Sequence, residues 1–361
     1  MNTRIVLAWL IVLIASRAAA FQINPNQADD DTKRASLASY IERLAVGASG
    51  RLIGHFKSPN HEAITHQAFG CTLANMFACS AAPTQQRAPD AAIWGVRWND
   101  DPPFRMRPAR ADCKYEQTIR SNTQPKCWYT LFKDAESRAA GGAQFGIGDA
   151  LLYRSHFGDL QFLHSMASTN GEPATITQAN VLLWAEFTWG IATQSLPQNK
   201  FPRDIGVIGI EKYFPGDQTA AVLLALGNPQ IQPQRDRVSE AALGSLLHMV
   251  QDSFSNAHVE RGEPTGVDCD GVSGARQPGK IVRFHNYVGQ DATKHDLQDA
   301  VDALSRNLLE SQPSVVEVSK TIVDFWRTKA TWPTVQPYFL CVFALDRDVQ
   351  SAGPGDAFRP N

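Results

Sequence analysis

Several signatures are missing from this sequence. It has no Cys-x-x-C pair, which argues against a cysteine zinc knuckle. It has no His-Glu-x-x-His, because His61-Glu62 is followed by His66 one position too late. The metallopeptidase helix signature is therefore absent. No repeat of fixed period, Ser/Gly linker or low-complexity run divides the chain, so one large domain is the simplest organisation. Charge of one sign is scarce as well. A net charge of −2 lacks the broad basic surface on which nucleic-acid binding draws, although a local one is compatible with it. Alternating apolar and polar runs are few, and residues 280–288 are the single modest strand candidate.

What is present begins with a targeting segment. Arg4 is followed by an apolar run over 5–15 and by Ala18-Ala19-Ala20, the pattern of a cleaved signal peptide over 1–20. The run is shorter than the roughly 20 residues that span a bilayer, so no transmembrane anchor is expected. The mature chain is expected to start at Phe21, with an N-terminal extension over 21–50, one domain over 51–340 and a tail over 341–361. A secreted or periplasmic location follows. Six cysteines in such a compartment suggest up to three disulfides. Proximity favours Cys71–Cys79 and Cys113–Cys127, leaving Cys269–Cys341, although order alone does not exclude other pairings.

Helical periodicity dominates the rest. Residues 35–46, 61–77, 174–193, 238–254, 297–309 and 313–327 read as amphipathic helices. Val181, Leu182, Trp184, Ala185, Phe187 and Trp189 form a wide apolar stripe that reads as core. Long polar stretches over 80–97, 101–126 and 260–280 separate the helices, and loops of that length are often functional or disulfide-fixed. The fold class is all-α, with elaborated loops.

The chemistry lies in the histidines. All nine fall between His55 and His295, most of them close to an aspartate or glutamate. The strongest element is His248-x3-Asp252-x5-His258. On a helix, His248 and Asp252 share one face about 5–6 Å apart, a spacing that suits two ligands of one metal or a carboxylate bridging two. Leu246, Leu247, Met249 and Val250 around them are apolar, and a buried aspartate needs a cation or hydrogen bonds in compensation. A buried His–Asp ion pair is the plainer alternative. His258 would lie about 15 Å beyond His248 on an unbroken helix, so the helix is expected to end near 253–256 and turn His258 back. His295 and Asp299 repeat the i, i+4 spacing. His61 opens a helix for which Asn60 is a reasonable N-cap. Asp100 and Asp101 sit beside Trp94 and Trp98, and His156 and His164 follow; which acid and which histidine of each pair ligates stays open.

In this order the motifs resemble the zinc-dependent phospholipase C and S1/P1 nuclease superfamily. The matching residues are His61, Asp100 in Trp98-Asn99-Asp100, Ser155-His156-Phe157, His248/Asp252/His258 and His295/Asp299, spread over residues 61–299. The resemblance implies a single multi-helix domain of that type, with two or three Zn2+ ions at the base of a cleft. Asp100, His156, His248 and Asp252 would hold one zinc. His258, His295 and Asp299 would hold a second, and His61 and Asp252 would share a third. Asp100 and Asp252 become the candidate catalytic carboxylates, with Asp252 bridging. The implied activity is cleavage of phosphate esters by a metal-bound hydroxide.

The sequence departs from the family pattern in three places. Asn256 stands where a proline is common, a long Cys-containing loop separates His258 from His295, and Phe21 precedes His61 by forty residues. The family places its N-terminal amine on the third zinc; His55 is the local candidate to replace it. Substrate expectations follow the loop over 105–126, where Arg105, Arg107, Arg110, Lys114, Arg120 and Lys126 would meet a polyanion or an anionic lipid surface. Trp94, Trp98, Phe104 and Trp128 would stack on a base or pack against an acyl glycerol. A phospholipid substrate, with peripheral membrane contact, is preferred. A P1-like nuclease or 3'-nucleotidase acting on single-stranded nucleic acid comes next, and a non-catalytic metal-binding secreted protein is the rival from another class.

Overall fold

A computed structural model describes residues 58–106, 112–114, 116–226, 228 and 234–360. The signal peptide, the extension with its expected helix over 35–46, and His55 lie outside the described residues. The described chain is mostly helical. It contains α1 (Asn60–Ala68), α2 (Asp90–Val96), α3 (Pro125–Ala140), α4 (Leu151–Phe157), α5 (Ala174–Ala192), α6 (Ala220–Ala225), α7 (Arg235–Asp252), α8 (Ala292–Leu297), α9 (Val301–Glu310), α10 (Val315–Arg327) and α11 (Trp332–Val342). One two-stranded antiparallel sheet pairs β1 (Val259–Arg261) with β2 (Ile281–Phe284), Val259 opposite Phe284.

The stripe on α5 is core: Val181, Trp184, Ala185, Phe187 and Trp189 are all fully buried. Removing side chains of this size from water stabilises by about 1.5–3 kcal/mol each. Helix α7 lies against α2 and α5, and its approach to α2 depends on glycine at two positions. A Cβ on Gly95 would sit 1.9 Å from the Ala241 carbonyl oxygen, and one on Gly244 2.1 Å from that of Ala92. Only backbone-to-backbone packing fits there. The three disulfides are Cys71–Cys79, Cys113–Cys127 and Cys269–Cys341, the pairing favoured by proximity in sequence.

Four expectations need correction. The helix expected over 61–77 stops at Ala68, because Gly70 adopts φ +112° and Cys71 is tied to Cys79 across a separate 3-10 turn, Met76–Ala81. Within the supposed polar loop over 80–97 lies α2, whose face of Ala91, Ala92, Ile93 and Trp94 is buried. The helix expected over 297–309 begins only at Val301, as α9, and the separate α8 ends at Leu297, so His295 and Asp299 are not on one continuous helix. Asn60 does not cap α1; its side-chain amide donates to the Asp299 carbonyl at 2.8 Å instead. Residues beyond α11 continue along the sheet, with Leu345 bridging to Ile281 and Gly353 to His285.

Candidate metal centre

The close α2–α7 crossing brings the ends of the two helices together. Nδ1 of His248 donates to the Val96 carbonyl at 2.6 Å. Just beyond α2, the Asn99 amide donates to the carbonyls of Leu163 and Ser245 at 2.6 and 3.2 Å. That pins the next residue, Asp100, beside α7 and beside the 3-10 turn Gln161–His164. Ser165 closes this turn at φ +53°, a conformation that costs a non-glycine residue about 1 kcal/mol or more. Its hydroxyl is anchored on the Met249 carbonyl at 2.7 Å. After α7 the chain turns tightly, and Nδ1 of His258 donates to the His164 carbonyl at 2.8 Å.

The result is a continuous cluster of histidines and aspartates. Within each of four groups the donor atoms lie within 4.8 Å of one another: His61/Asp100/His248, His164/His248/Asp252 and Asp100/His156/His164, which share residues, and a separate His258/His295/Asp299. All eight sequence-selected residues are in it. His164 joins them between His156 and Asp252, so both histidines of the open pair belong to the cluster. Asp101 does not. Its carboxylate accepts from the Ser121 amide and hydroxyl at 2.9 and 2.7 Å and pairs with Arg120 at 3.3 Å. His66 is also elsewhere, accepting at Nδ1 from the Ala88 amide at 3.1 Å, and Glu62 is bonded to Arg97 at 2.8 Å.

Proton placement decides what the cluster can do. Carbonyl and carboxylate oxygens only accept, so a ring nitrogen bonded to one carries the hydrogen. His248 and His258 use Nδ1 this way, and Nδ1 of His156 donates to the Leu152 carbonyl at 3.1 Å. Nδ1 of His61 donates to Oε1 of Gln251 at 2.7 Å, while the Gln251 amide donates to Thr65. In the neutral ring the inward Nε2 then carries a lone pair. Nε2 of His248 faces Asp252 Oδ2 at 3.0 Å and His164 Nδ1 at 3.2 Å; Nε2 of His61 faces Asp252 Oδ1 at 3.2 Å. Nε2 of His258 faces that of His295 at 3.2 Å. Nε2 of His164 is buried without a hydrogen bond.

Burial, with His61 nearby, lowers the pKa of His248 to about 3 even against the attraction of Asp252. Burial lowers His258 to about 4. Burial also pushes the Asp252 carboxyl up, but the surrounding His248, His258 and His61 outweigh it and hold the group well below the usual carboxylate range. Asp100 is driven the other way by burial first and by the charge of Asp252 second. Oδ2 of the Asp252 carboxylate also accepts from Nδ1 of His164 at 2.8 Å, so the centre holds one donated hydrogen beside the inward Nε2 atoms of His61 and His248. Nitrogen and oxygen donors at these spacings, with no thiolate, fit zinc with bonds of about 2.0–2.2 Å.

The cluster meets solvent along Asp100, His156 and His164, which are 7%, 6% and 4% exposed, whereas Asp252 and His248 are at 0%. A small cavity at this edge is bounded by Asp100, His156, His164, His258, Tyr287 and His295. Tyr287, missed in the sequence, packs against His295 with ring centroids 4.7 Å apart and planes tilted by 52°. A larger cavity of about 670 Å³ between Phe104, Leu151, Phe214 and Leu226 touches none of the cluster residues. Of the residues expected to make aromatic contacts, Trp94, Trp98 and Trp128 are buried away from the cluster, and Phe104 lines the larger cavity. The indoles of Trp94 and Trp98 donate to the carbonyls of Leu224 and Leu223. Arg120 is likewise buried, stacked 3.8 Å over Trp94, and Lys126 pairs with Asp112 at 2.5 Å.

No family model, curated protein or solved structure matches this chain. The superfamily resemblance therefore rests on the cluster residues, their order and their spacing.

Proposed function

We propose that this protein is a secreted or periplasmic zinc-dependent hydrolase of phosphate esters, built as a phospholipase C/P1 nuclease-like domain. The observation that carries the proposal is the wholly buried Asp252, which accepts from Nδ1 of His164 and whose two oxygens also face Nε2 of His61 and of His248, rings whose Nδ1 already donates elsewhere. Three disulfides support an oxidising compartment. Among the described residues no helix is long and apolar enough to cross a membrane.

Asp252, His248, His61, Asp100, His156 and His164 would hold the ions of one side, and His258, His295 and Asp299 those of the other. Bound zinc supplies Lewis acidity and a nucleophile source at neutral pH. The chain's own contribution is orientation and charge. Val96, Gln251, Leu152 and the His164 carbonyl fix the rings so that Nε2 points inward. Burial and the charge of Asp252 raise the pKa of Asp100, and cations bound beside it would favour its ionised form. Tyr287 and the Asp100/His156/His164 edge bound the small cavity of about 10 Å³ that adjoins the cluster.

A phospholipid is the preferred substrate over a nucleic acid. With Arg120 buried and Lys126 paired, the loop over 105–126 has less free positive charge for a polyanion than its sequence implies. The test compares zinc-loaded protein with a His248→Ala/Asp252→Ala variant on phosphatidylcholine and on single-stranded DNA. Zinc-dependent release of phosphocholine, lost in the variant, is the expected result. Preferential DNA cleavage would reverse the substrate order, and no cleavage of either by zinc-loaded protein would favour a non-catalytic metal-binding protein.

A further inference from the structure

Gln290 stands between the ring of His295 and a segment of chain far from it in sequence. Its Nε2 donates twice, to the Ala257 carbonyl at 2.8 Å and to the Pro354 carbonyl at 2.9 Å. Carbonyl oxygens cannot donate, so turning the amide round would set oxygen against two oxygens. Oε1 must point the other way, and it lies 2.5 Å from Nδ1 of His295. This keeps the His295 proton on Nδ1. Its Nε2 is then directed at His258 Nε2, 3.2 Å away, and Asp299 Oδ2, 3.3 Å away.

The segment that supplies the Pro354 carbonyl is itself seated specifically. Gly355 has φ +76°, and a Cβ there would lie 2.7 Å from His285 Cε1 and 2.8 Å from Phe358 Cδ2. The Asn286 amide donates to the Gly353 carbonyl at 3.1 Å, and the Asp291 amide to that of Phe358 at 2.6 Å. Nδ1 of His285 donates to the Ala257 carbonyl at 3.1 Å, the same oxygen that Gln290 uses. The His285 amide donates to the His258 carbonyl at 2.8 Å. Residues 353–358 thus bear on the backbone of His258 and, through Gln290, on the ring of His295. The rings of His61 and His248 take their Nδ1 partners from Gln251 and Val96 instead.

We propose that Gln290, held by the Pro354 carbonyl, is a positioning residue for His295, and that residues 353–358 thereby set the metal affinity of the His258/His295/Asp299 group selectively. The proposal rests on the metal reading above. A second-sphere partner of a ligating histidine is typically worth about 10–100-fold in metal affinity.

The experiment loads three proteins with Co2+: wild type, Gln290→Ala, and a chain ending after Ala352. Bound cobalt is followed by its visible spectrum during chelator titration. Long-range 1H–15N NMR of the metal-free proteins reads which nitrogen of His295 carries the proton, and circular dichroism in excess chelator checks the fold. In wild type the proton is expected on Nδ1. In both variants one class of cobalt should leave at about 10–100-fold lower chelator, the remaining cobalt should be unmoved, and the His295 proton should divide between the two nitrogens. Cobalt-loaded wild type with unchanged variants, or equal weakening of every ion, would overturn this proposal alone. A wild type that takes up no cobalt would overturn the metal reading and this proposal with it.

Discussion

The Asp252 group and the Asp299 group use the same residue types but are held by different parts of the chain. His61, His248 and Asp252 sit on α1 and α7, and the ring of His248 is held by the Val96 carbonyl at the end of α2, which Gly95 and Gly244 let close on α7. His295 sits on the six-residue α8, His258 and Asp299 lie in turns, and the orienting partners are Gln290 and the Ser255 hydroxyl, which donates to Asp299. One group is carried by rigid elements that would exist without it. The other is assembled from short pieces whose arrangement depends on loops and on residues 353–358. Sites built on packed helices hold geometry more tightly than sites on turns, so the second group should be the first to lose its metal.

The largest expected effect breaks the rigid group itself. Gly244→Ala forces a methyl into the Ala92 carbonyl, and overpacking of this kind costs about 1–3 kcal/mol, occasionally more. Chemical denaturation should show that loss together with loss of metal from the Asp252 group. Retention of wild-type stability would contradict the account of the crossing.

Next comes Asp252→Asn, for which the two states should differ in size of effect. In chelator the substitution removes a carboxylate that its surroundings hold in the ionised form and that accepts from His164, so the melting temperature should fall by about 2–4 °C. With zinc it should fall further, because a ligand is lost as well. A decrease of the same size in both states would mean that Asp252 is an ordinary structural ion-pair partner.

His295→Ala sharpens the comparison. It should remove only the metal of the Asp299 group, leaving the ions around Asp252 in place by elemental analysis. Loss of all metal would show that the two groups do not bind independently.

The smallest effect is on pH. Burial lowers His248 to about 3 and His258 to about 4, against an ordinary value of about 6.5. Between about pH 4 and 6.5 the unfolded chain therefore binds more protons than the folded one, and stability falls as pH falls. The chelated protein should lose melting temperature across that window and change little above pH 7 from these groups. A melting temperature rising on acidification would contradict the assignment of neutral, inward-facing rings.

Much of the cluster was legible because its spacing is local. His248, Asp252 and His258 state a helix face and a turn in their own sequence, and burial of their apolar neighbours follows from the pattern. His164 could not be placed that way. Its position depends on a 3-10 turn ending in a left-handed Ser165, anchored on Met249 across the fold. The aromatic residues misled for a related reason. In a polar-looking stretch Trp94 and Trp98 seem available to a ligand, but α6, more than a hundred residues later, supplies the carbonyls that their indoles bond. Asp100 and Asp101 are equivalent in sequence, and only Ser121 and Arg120 distinguish them. Gln290 carries no sequence signal beyond its nearness to His295, because its meaning comes from Pro354.

The central claim is tested most directly by counting metal in the purified protein after zinc reconstitution and removal of free ions. The account predicts about two to three zinc ions per chain, released by chelator with a fall in melting temperature. A chain that retains no zinc, and melts at the same temperature with and without it, would reduce the cluster to buried histidine–aspartate pairs and contradict the hydrolase proposal.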